Sequence, residues 1–122
     1  MRIGFVGVSV FFIASSAAAM PVSTFLQKAQ ALKASGPLAL LSSDYRLLKN
    51  ELSSTMEALH SERLAAVHAG RPPAYCPTQQ SGSMSVGEIV GAMNAVPPAA
   101  RQSTDVKDAM RTHMARRFPC KG

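Results

Sequence analysis

Residues 85–120, SVGEIVGAMNAVPPAARQSTDVKDAMRTHMARRFPC, contain two amphipathic segments separated by a proline pair. Ser85 and Glu88 have the spacing of a capping box, in which two side chains satisfy free amides of a first helical turn. Apolar residues recur at helical spacing in both segments. In the first segment they are Val86, Ile89, Val90 and Met93. In the second they are Val106, Ala109, Met110, Met114 and Phe118, and His113 lies at the same spacing. The stretch therefore predicts a helical hairpin.

A shorter amphipathic segment lies upstream and predicts a first helix that begins near Ser23 or Thr24. Thr24 and Gln27 have capping-box spacing. The pair Gly36-Pro37 should end this helix, because glycine accepts the left-handed cap conformation and proline cannot continue the hydrogen-bond ladder. The apolar run at 38–41 predicts a short helical turn.

A long second helix is predicted to begin at Ser42, Ser43 or Asp44 and to run to about Ala69. It is about 25 residues long, or about 38 Å. Its apolar stripe consists of Leu48, Leu52, Met56, Leu59, Leu64 and Val67. The helix is either the long arm against which the other helices pack or, given its near-heptad spacing, a surface for self-association.

Residues 1–19 have the three-part pattern of a secretory signal peptide. Arg2 is followed by an uncharged apolar run, Ile3–Ala14, and then by small residues with Ala17 and Ala19 at the A-x-A positions. We predict cleavage after Ala19 and a periplasmic product. The alternative is an uncleaved anchor, because the uncharged run nearly reaches the length that spans a bilayer.

The chain has two cysteines, Cys76 and Cys120, which bracket the hairpin. In an exported chain an even number of cysteines predicts a disulfide, and two cysteines leave one pairing. The alternative is a reactive thiol at Cys120 with His113 and Arg117 nearby, but an oxidising compartment disfavours a lasting free thiol. Residues 71–84, rich in Pro, Gly, Ser and Gln, are predicted to be a linker.

These patterns predict an all-α fold, a small four-helix domain with one long helix and a disulfide-clamped C-terminal hairpin. The predicted organisation is a signal peptide at 1–19 and a single domain at 20–122. That domain has N-terminal helices at 20–70, the linker at 71–84 and the hairpin at 85–120.

Composition excludes several classes of protein. The 122 residues are 47% hydrophobic and 16% charged, which is too apolar for disorder and too interrupted for a multi-span membrane protein. No catalytic motif is present, neither G-x-S-x-G nor a zinc-ligand spacing. Glu57 and His60 form one carboxylate–imidazole pair, whereas di-metal bundles need two. We therefore predict a non-enzyme without cofactor or metal.

The charge is +6 and is concentrated in the C-terminal half, where residues 71–122 carry seven basic and three acidic side chains. Arg111, Arg116, Arg117 and Lys121 lie at the end of the last predicted helix. Nucleic acid is scarce outside the cytoplasm, so if this basic end binds a partner, we expect an acidic protein or an anionic envelope component. The alternative is a solvated face whose cations complement the helix dipole.

One set of motifs resembles a known family. The motifs are Tyr75-Cys76-Pro77, Ser85-x-x-Glu88-Ile89-Val90, Pro97-Pro98, Ala109-Met110 and Phe118-Pro119-Cys120. They resemble the C-terminal half of the Tai/Rap-type periplasmic immunity proteins, which protect Gram-negative cells from peptidoglycan amidases of the type VI secretion system. The resemblance covers about 45 residues, and the family's further N-terminal cysteines are missing here. It implies an all-helical, disulfide-bonded, often dimeric binding protein without catalysis.

The function expected from the sequence is therefore an exported, non-catalytic, protein-binding protein, an immunity-like inhibitor of a cell-wall hydrolase. A second hypothesis is an acid-stress periplasmic chaperone similar to the HdeA-type proteins, which are also small, helical and held by one disulfide. A third is an envelope structural protein held by an uncleaved anchor.

Overall fold

Four α-helices and two 3₁₀ turns form the chain that the computed structural model describes, residues 19–77 and 83–121. They are α1 (Val22–Ser35), a turn at Gly36–Leu41, α2 (Ser43–His68), α3 (Val86–Asn94), a turn at Pro98–Ala100 and α4 (Val106–Arg117). No strand occurs in these residues apart from an isolated bridge between Pro21 and Asp105. The predicted all-α fold with one long helix is confirmed. The predicted signal segment lies outside the described residues, except for Ala19.

The start of α1 differs from its prediction. Thr24 lies inside the helix, and the N-cap residue Pro21 makes no side-chain capping bond. The first amides are satisfied from far along the chain instead. Val22 N donates to Thr104 O at 2.9 Å and Ser23 N donates to the Arg101 carbonyl at 3.0 Å. The predicted capping box is wrong because the helix begins at Val22, which places Thr24 and Gln27 inside the helix and not at its N-cap and third position.

Helix α2 begins where predicted, with Ser42 Oγ accepting a hydrogen bond from Tyr45 N at 3.1 Å. Leu48 and Leu59 of its predicted stripe are buried, but Leu64 and Val67 are exposed by 40% and 52%. Beyond Leu59, the face toward α4 carries Arg63 and Ala66 in place of these two residues. Because Leu64 and Val67 are exposed, self-association through α2 stays a hypothesis.

The predicted C-terminal hairpin is confirmed. Ser85 Oγ accepts from Glu88 N at 3.1 Å to start α3, and Asp105 Oδ1 accepts from Asp108 N at 2.8 Å to start α4. Val86 is 79% exposed, although it belongs to the predicted apolar face. It occupies the first helical position, two turns before the buried Met93, so it continues the face of Met93 at the end of α3 that the domain leaves uncovered.

Arg101 closes the connection between α3 and α4. Its Nε donates to Val96 O at 2.9 Å and its Nη2 donates to Asn94 O at 3.0 Å. A cation at a helix C-terminus satisfies carbonyls that have no partner within the helix. The proline pair ends α3 as predicted, and Arg101 then holds the turn that starts at Pro98 against that end.

Cys76 and Cys120 form the predicted disulfide, with an S–S distance of 2.05 Å. The alternative of a reactive thiol at Cys120 is therefore wrong. Next to the disulfide, Cys76 N donates to Phe118 O at 2.8 Å. Tyr75 is only 4% exposed, so the predicted linker contributes a side chain to the core. Residues 78–82 of that linker lie outside the described part of the chain.

The core consists of aliphatic and methionine side chains with two aromatic rings. Its buried members are Val22, Phe25, Leu48, Leu59, Tyr75, Ala92, Met93, Val106, Ala109, Met110 and Met114. Methionine suits such a core because its unbranched side chain fills irregular gaps. Within the part of the chain that the structure describes, this buried cluster lies between Val22 and Met114.

Candidate partner-binding site

The four basic residues predicted to bind a partner do not form one cluster. Arg111 is paired with carboxylates on the α2 side of α4, and Arg117 is paired with Glu88 on the α3 side. Arg116 is exposed, and Lys121 is exposed beyond the disulfide. Because Arg111 pairs toward α2 and Arg117 pairs toward α3, the predicted basic end is divided between two faces of α4.

On the α2 side, Glu62 joins the two helices. Lys107 Nζ lies 2.6 Å from Glu62 Oε1, and Arg111 Nη2 lies 2.9 Å from Glu62 Oε2. Arg111 Nη1 also donates to Asp108 Oδ1 at 2.6 Å. The Lys107 ammonium, and after it the Arg111 guanidinium, holds the pKa of Glu62 below its usual value. The Glu62 carboxylate in turn raises the pKa of Arg111.

We expect Glu62→Gln to lower the free energy of unfolding at pH 7 by about 1 kcal/mol or less, because water screens these half-exposed pairs. A carboxylate whose folded-state pKa is lowered contributes its stability above its unfolded pKa of about 4.3 and loses it as pH falls through the folded value. The difference between variant and wild type should therefore disappear at acid pH. Urea unfolding at several pH values between 7 and 2.5 measures it.

Glu57→Gln is the matched control, since Glu57 is an exposed glutamate of the same helix and is in none of the ion pairs found among the described residues. It should leave the pH dependence unchanged. A Glu62→Gln effect that persisted undiminished at pH 2.5 would contradict the role of the ionised carboxylate.

On the α3 side, Glu88 joins the hairpin. His113 Nε2 lies 2.9 Å from Glu88 Oε1, and Arg117 Nη1 lies 3.0 Å from the same oxygen. The Arg117 guanidinium also stacks on Phe118, 4.8 Å from the ring centroid. The Glu88 side chain thus bonds across to α4, and the reciprocal half of the predicted capping box is replaced by this interhelical contact.

A cleft of about 170 Å³ lies between α2, the 71–77 segment and α4. It is lined by Leu59, Glu62, Arg63, Ala66, Ala74, Tyr75 and Arg111. The Arg63 guanidinium lies 6.0 Å from the Tyr75 ring centroid. Arg63 Nε is buried, and no residue of the described chain accepts a hydrogen bond from it. We call this the Arg63 cleft.

Arg63 was not among the residues predicted from the sequence to bind a partner. The available signal was its position one helical turn after Leu59, on the apolar side of α2, where an arginine interrupts the packing pattern. Tyr75 was assigned to a linker. The fold brings both residues to the cleft that also contains the predicted Arg111.

A second cleft of about 240 Å³ lies between α3, the Pro98–Ala100 turn and α4. Its floor is apolar, with Ala92, Val96 and Ala109, and Arg116 stands among its polar lining residues. Both clefts are smaller than the 300–1,000 Å³ typical of small-molecule sites. Their size suits one inserted side chain better than a cofactor or an extended substrate.

Among residues 19–77 and 83–121, no group of three or more His, Cys, Asp or Glu side chains is arranged to hold a metal ion. Within the same residues no helix has the length and hydropathy needed to cross a membrane. Comparison of the chain with protein-family models, curated proteins and solved structures returned no match.

Proposed function

We propose that this chain is an exported, non-catalytic, protein-binding protein that inhibits a peptidoglycan hydrolase, in the manner of an immunity protein. The Arg63 cleft is the binding site, and it accepts an acidic side chain of the enzyme. The observation that carries the proposal is the buried Arg63 Nε, for which the described chain supplies no acceptor.

A buried donor without a partner costs about 1–3 kcal/mol, and more when the group is charged. If the Arg63 guanidinium turned toward a carboxylate that a partner inserts into the cleft, the new hydrogen bond would satisfy Nε and recover that loss. Tyr75 supplies an aromatic wall beside the guanidinium. Tyrosine and arginine in a pocket near its centre are typical of the residues that dominate binding energy at protein interfaces.

The walls of the cleft are held in place before a partner arrives. Glu62 joins α2 to α4 through Lys107 and Arg111. The disulfide fixes the segment that carries Tyr75 next to the end of α4. A preorganised site binds more tightly because less conformational entropy is lost on association.

The charge of the chain favours an acidic partner. The formal charge is +6, and residues 71–122 carry a surplus of four positive charges. A positive surface speeds association with an acidic protein and disfavours basic ones. The positive charge therefore supports a partner protein, and among peptidoglycan hydrolases it favours an acidic one.

The test is capture by the oxidised chain of residues 20–122 from periplasmic extract at pH 7, followed by a peptidoglycan hydrolysis assay of the captured protein. We expect one stoichiometric hydrolase that the chain inhibits, and a loss of affinity of about tenfold or more for Arg63→Gln. Arg71→Gln, a change at an exposed arginine just after α2, is the control and should inhibit like wild type. Inhibition unaffected by Arg63→Gln would place the site elsewhere, and absence of any captured hydrolase would reject the function.

An acid-stress chaperone is a second candidate, favoured by one observation. Only three carboxylates, Asp44, Glu62 and Glu88, hold all the side-chain ion pairs found between helices in the described chain. Acidification protonates carboxylates, so pairs of this kind are lost and the chain's positive charge rises, which favours opening. Many unrelated clients captured only near pH 3 would support the chaperone over the inhibitor.

The third candidate, an envelope protein with an uncleaved anchor, differs in its N-terminus. Sequencing of the exported product from the N-terminus separates it from the other two, since Met20 as the first residue would exclude an anchor.

A further inference from the structure

The turn between α1 and α2 exposes three leucines. Leu38, Leu40 and Leu41 are 69%, 65% and 81% exposed. In a 3₁₀ helix the side chains at positions i and i+3 eclipse, so Leu38 and Leu41 project in the same direction. Leucines that are this exposed protrude from the surface and do not line a groove. We call Leu38, Leu40 and Leu41 the leucine tip.

Hydrogen bonds within the chain close both ends of the turn that carries the leucine tip. Gly36 N donates to Lys33 O at the start of the turn, and Pro37 has no amide hydrogen to satisfy. At the end of the turn, Ser42 N and Ser42 Oγ both donate to Ala39 O, at 3.1 and 2.8 Å. A segment that enters an apolar medium needs these internal bonds, because free backbone groups are costly there.

Three exposed cations flank the leucine tip in the chain. Lys33 lies in the last turn of α1, and Arg46 and Lys49 lie in the first two turns of α2; all three are exposed. None takes part in the ion pairs found among the described residues. The one acid in this region, Asp44, is already paired with Lys28 at 3.1 Å. The tip is therefore an apolar projection with unneutralised positive charge around it.

We propose that the leucine tip docks this protein on an anionic phospholipid bilayer. The three leucines enter the boundary between headgroups and acyl chains, and Lys33, Arg46 and Lys49 contact the phosphates. Apolar burial together with attraction to anionic lipid is the combination that binds interfacial segments to membranes. No transmembrane segment is required for this contact.

A second copy of the chain fits the tip less well. An interface between two copies would bring Lys33, Arg46 and Lys49 of one chain toward the same residues of the other, and like charges repel. A stable protein interface also buries about 800 Å² on each partner in a complementary surface, whereas a few protruding side chains present much less. A bilayer accommodates a projection and carries the opposite charge.

Vesicle flotation with the chain of residues 20–122, which contains the whole described core, tests the proposal. We expect binding to vesicles of phosphatidylethanolamine and phosphatidylglycerol in a 3:1 ratio, and much weaker binding to phosphatidylcholine. The variant Leu38→Ser/Leu40→Ser/Leu41→Ser should bind at least about tenfold more weakly. Each of Lys33→Gln, Arg46→Gln and Lys49→Gln should weaken binding about fivefold.

A local readout separates docking of the tip from attachment elsewhere. The chain contains no tryptophan, so Leu40→Trp introduces a single reporter whose emission should shift to the blue on binding phosphatidylglycerol vesicles. Leu64→Trp, at another exposed leucine, is the matched control and should not shift. Circular dichroism confirms that each variant retains its helices.

Three results would overturn the proposal. They are equal binding by the wild type and the triple serine variant, a blue shift for Leu64→Trp as large as that for Leu40→Trp, and a concentration-dependent dimer that the serine substitutions abolish. The last result would assign the leucine tip to a second copy of the chain. None of them bears on the Arg63 cleft, which lies between α2 and α4.

Discussion

Removing the disulfide with Cys76→Ser/Cys120→Ser is expected to lower the free energy of unfolding by about 4 kcal/mol. The bond joins residues 44 positions apart, and closing a loop of that length restricts the unfolded chain by about this amount in the chain-entropy model. Domains of this size have a total stability of only about 5–15 kcal/mol, so the loss is a large fraction of it. Urea denaturation followed by circular dichroism measures the change.

The wild-type chain in a thiol reductant is the matched control, because it loses the same bond without a substitution. It should unfold at nearly the same urea concentration as the double serine variant, and reductant should have no further effect on that variant. If the double serine variant unfolded at the same urea midpoint as the oxidised wild type, the prediction would be wrong, because other contacts would then close the loop.

The disulfide also affects the proposed binding site. It holds Cys76 beside the end of α4, where Cys76 N bonds to Phe118 O at 2.8 Å, and Tyr75 precedes it in the chain. Without the bond, the 71–77 segment is less firmly held as a wall of the Arg63 cleft. We therefore expect the folded double serine variant to inhibit the hydrolase less well than oxidised wild type.

Truncation of a fully buried methionine is the second large effect. Met110 is 0% exposed and lies on α4 within the buried cluster. Met110→Ala should lower the free energy of unfolding by about 2–5 kcal/mol, because it removes buried apolar atoms and leaves a cavity that the surrounding helices fill only in part. Urea denaturation at pH 7 measures the loss.

Two controls bracket this prediction. Met110→Leu keeps nearly the same volume and should destabilise by less than about 1.5 kcal/mol. Val86→Ala changes an apolar residue that is 79% exposed and should alter stability by no more than about 0.5 kcal/mol. If Val86→Ala destabilised the domain as much as Met110→Ala, the assignment of the core would be wrong.

Helix boundaries were predictable wherever the stop and start signals are local. Ser42, Ser85 and Asp105 each accept a hydrogen bond from an amide three residues later, as short polar N-cap residues do. Gly36 ends α1 with φ of 59°, a conformation that glycine adopts without strain. These features depend on residues within one turn of each other, so the sequence contains all the information that they need.

Predictions failed where the deciding contact is distant in the chain. The first amides of α1 bond to the carbonyls of Arg101 and Thr104, so no local cap could have been inferred for that end. Leu64 and Val67 continue the apolar pattern of α2, yet they lie beside the face that packs against α4. Periodicity predicts that a helix has an apolar face, but the position of its neighbours decides how much of that face is covered.

In the candidate site, too, local features were predictable from the sequence and long-range contacts were not. The basic residues near the end of α4 were visible in the sequence, but their pairing was not. Arg111 reaches Glu62 across 49 positions of the chain and Arg117 reaches Glu88 on the neighbouring helix. Arg63 is a candidate only because the fold places Tyr75 and Arg111 beside it in one cleft.

The sequence by itself determined the helical class, the N-cap of α3, the start of α2 to within three residues and the pairing of the only two cysteines. Local hydrogen bonding, backbone preference and a count of thiols decide these features. Only the tertiary structure decided which charges neutralise each other, that Arg63 Nε is buried without an acceptor among the described residues, and that the leucine tip stays exposed. Burial and long-range ion pairing depend on the distances between side chains of different helices, and those distances exist only after the helices have packed.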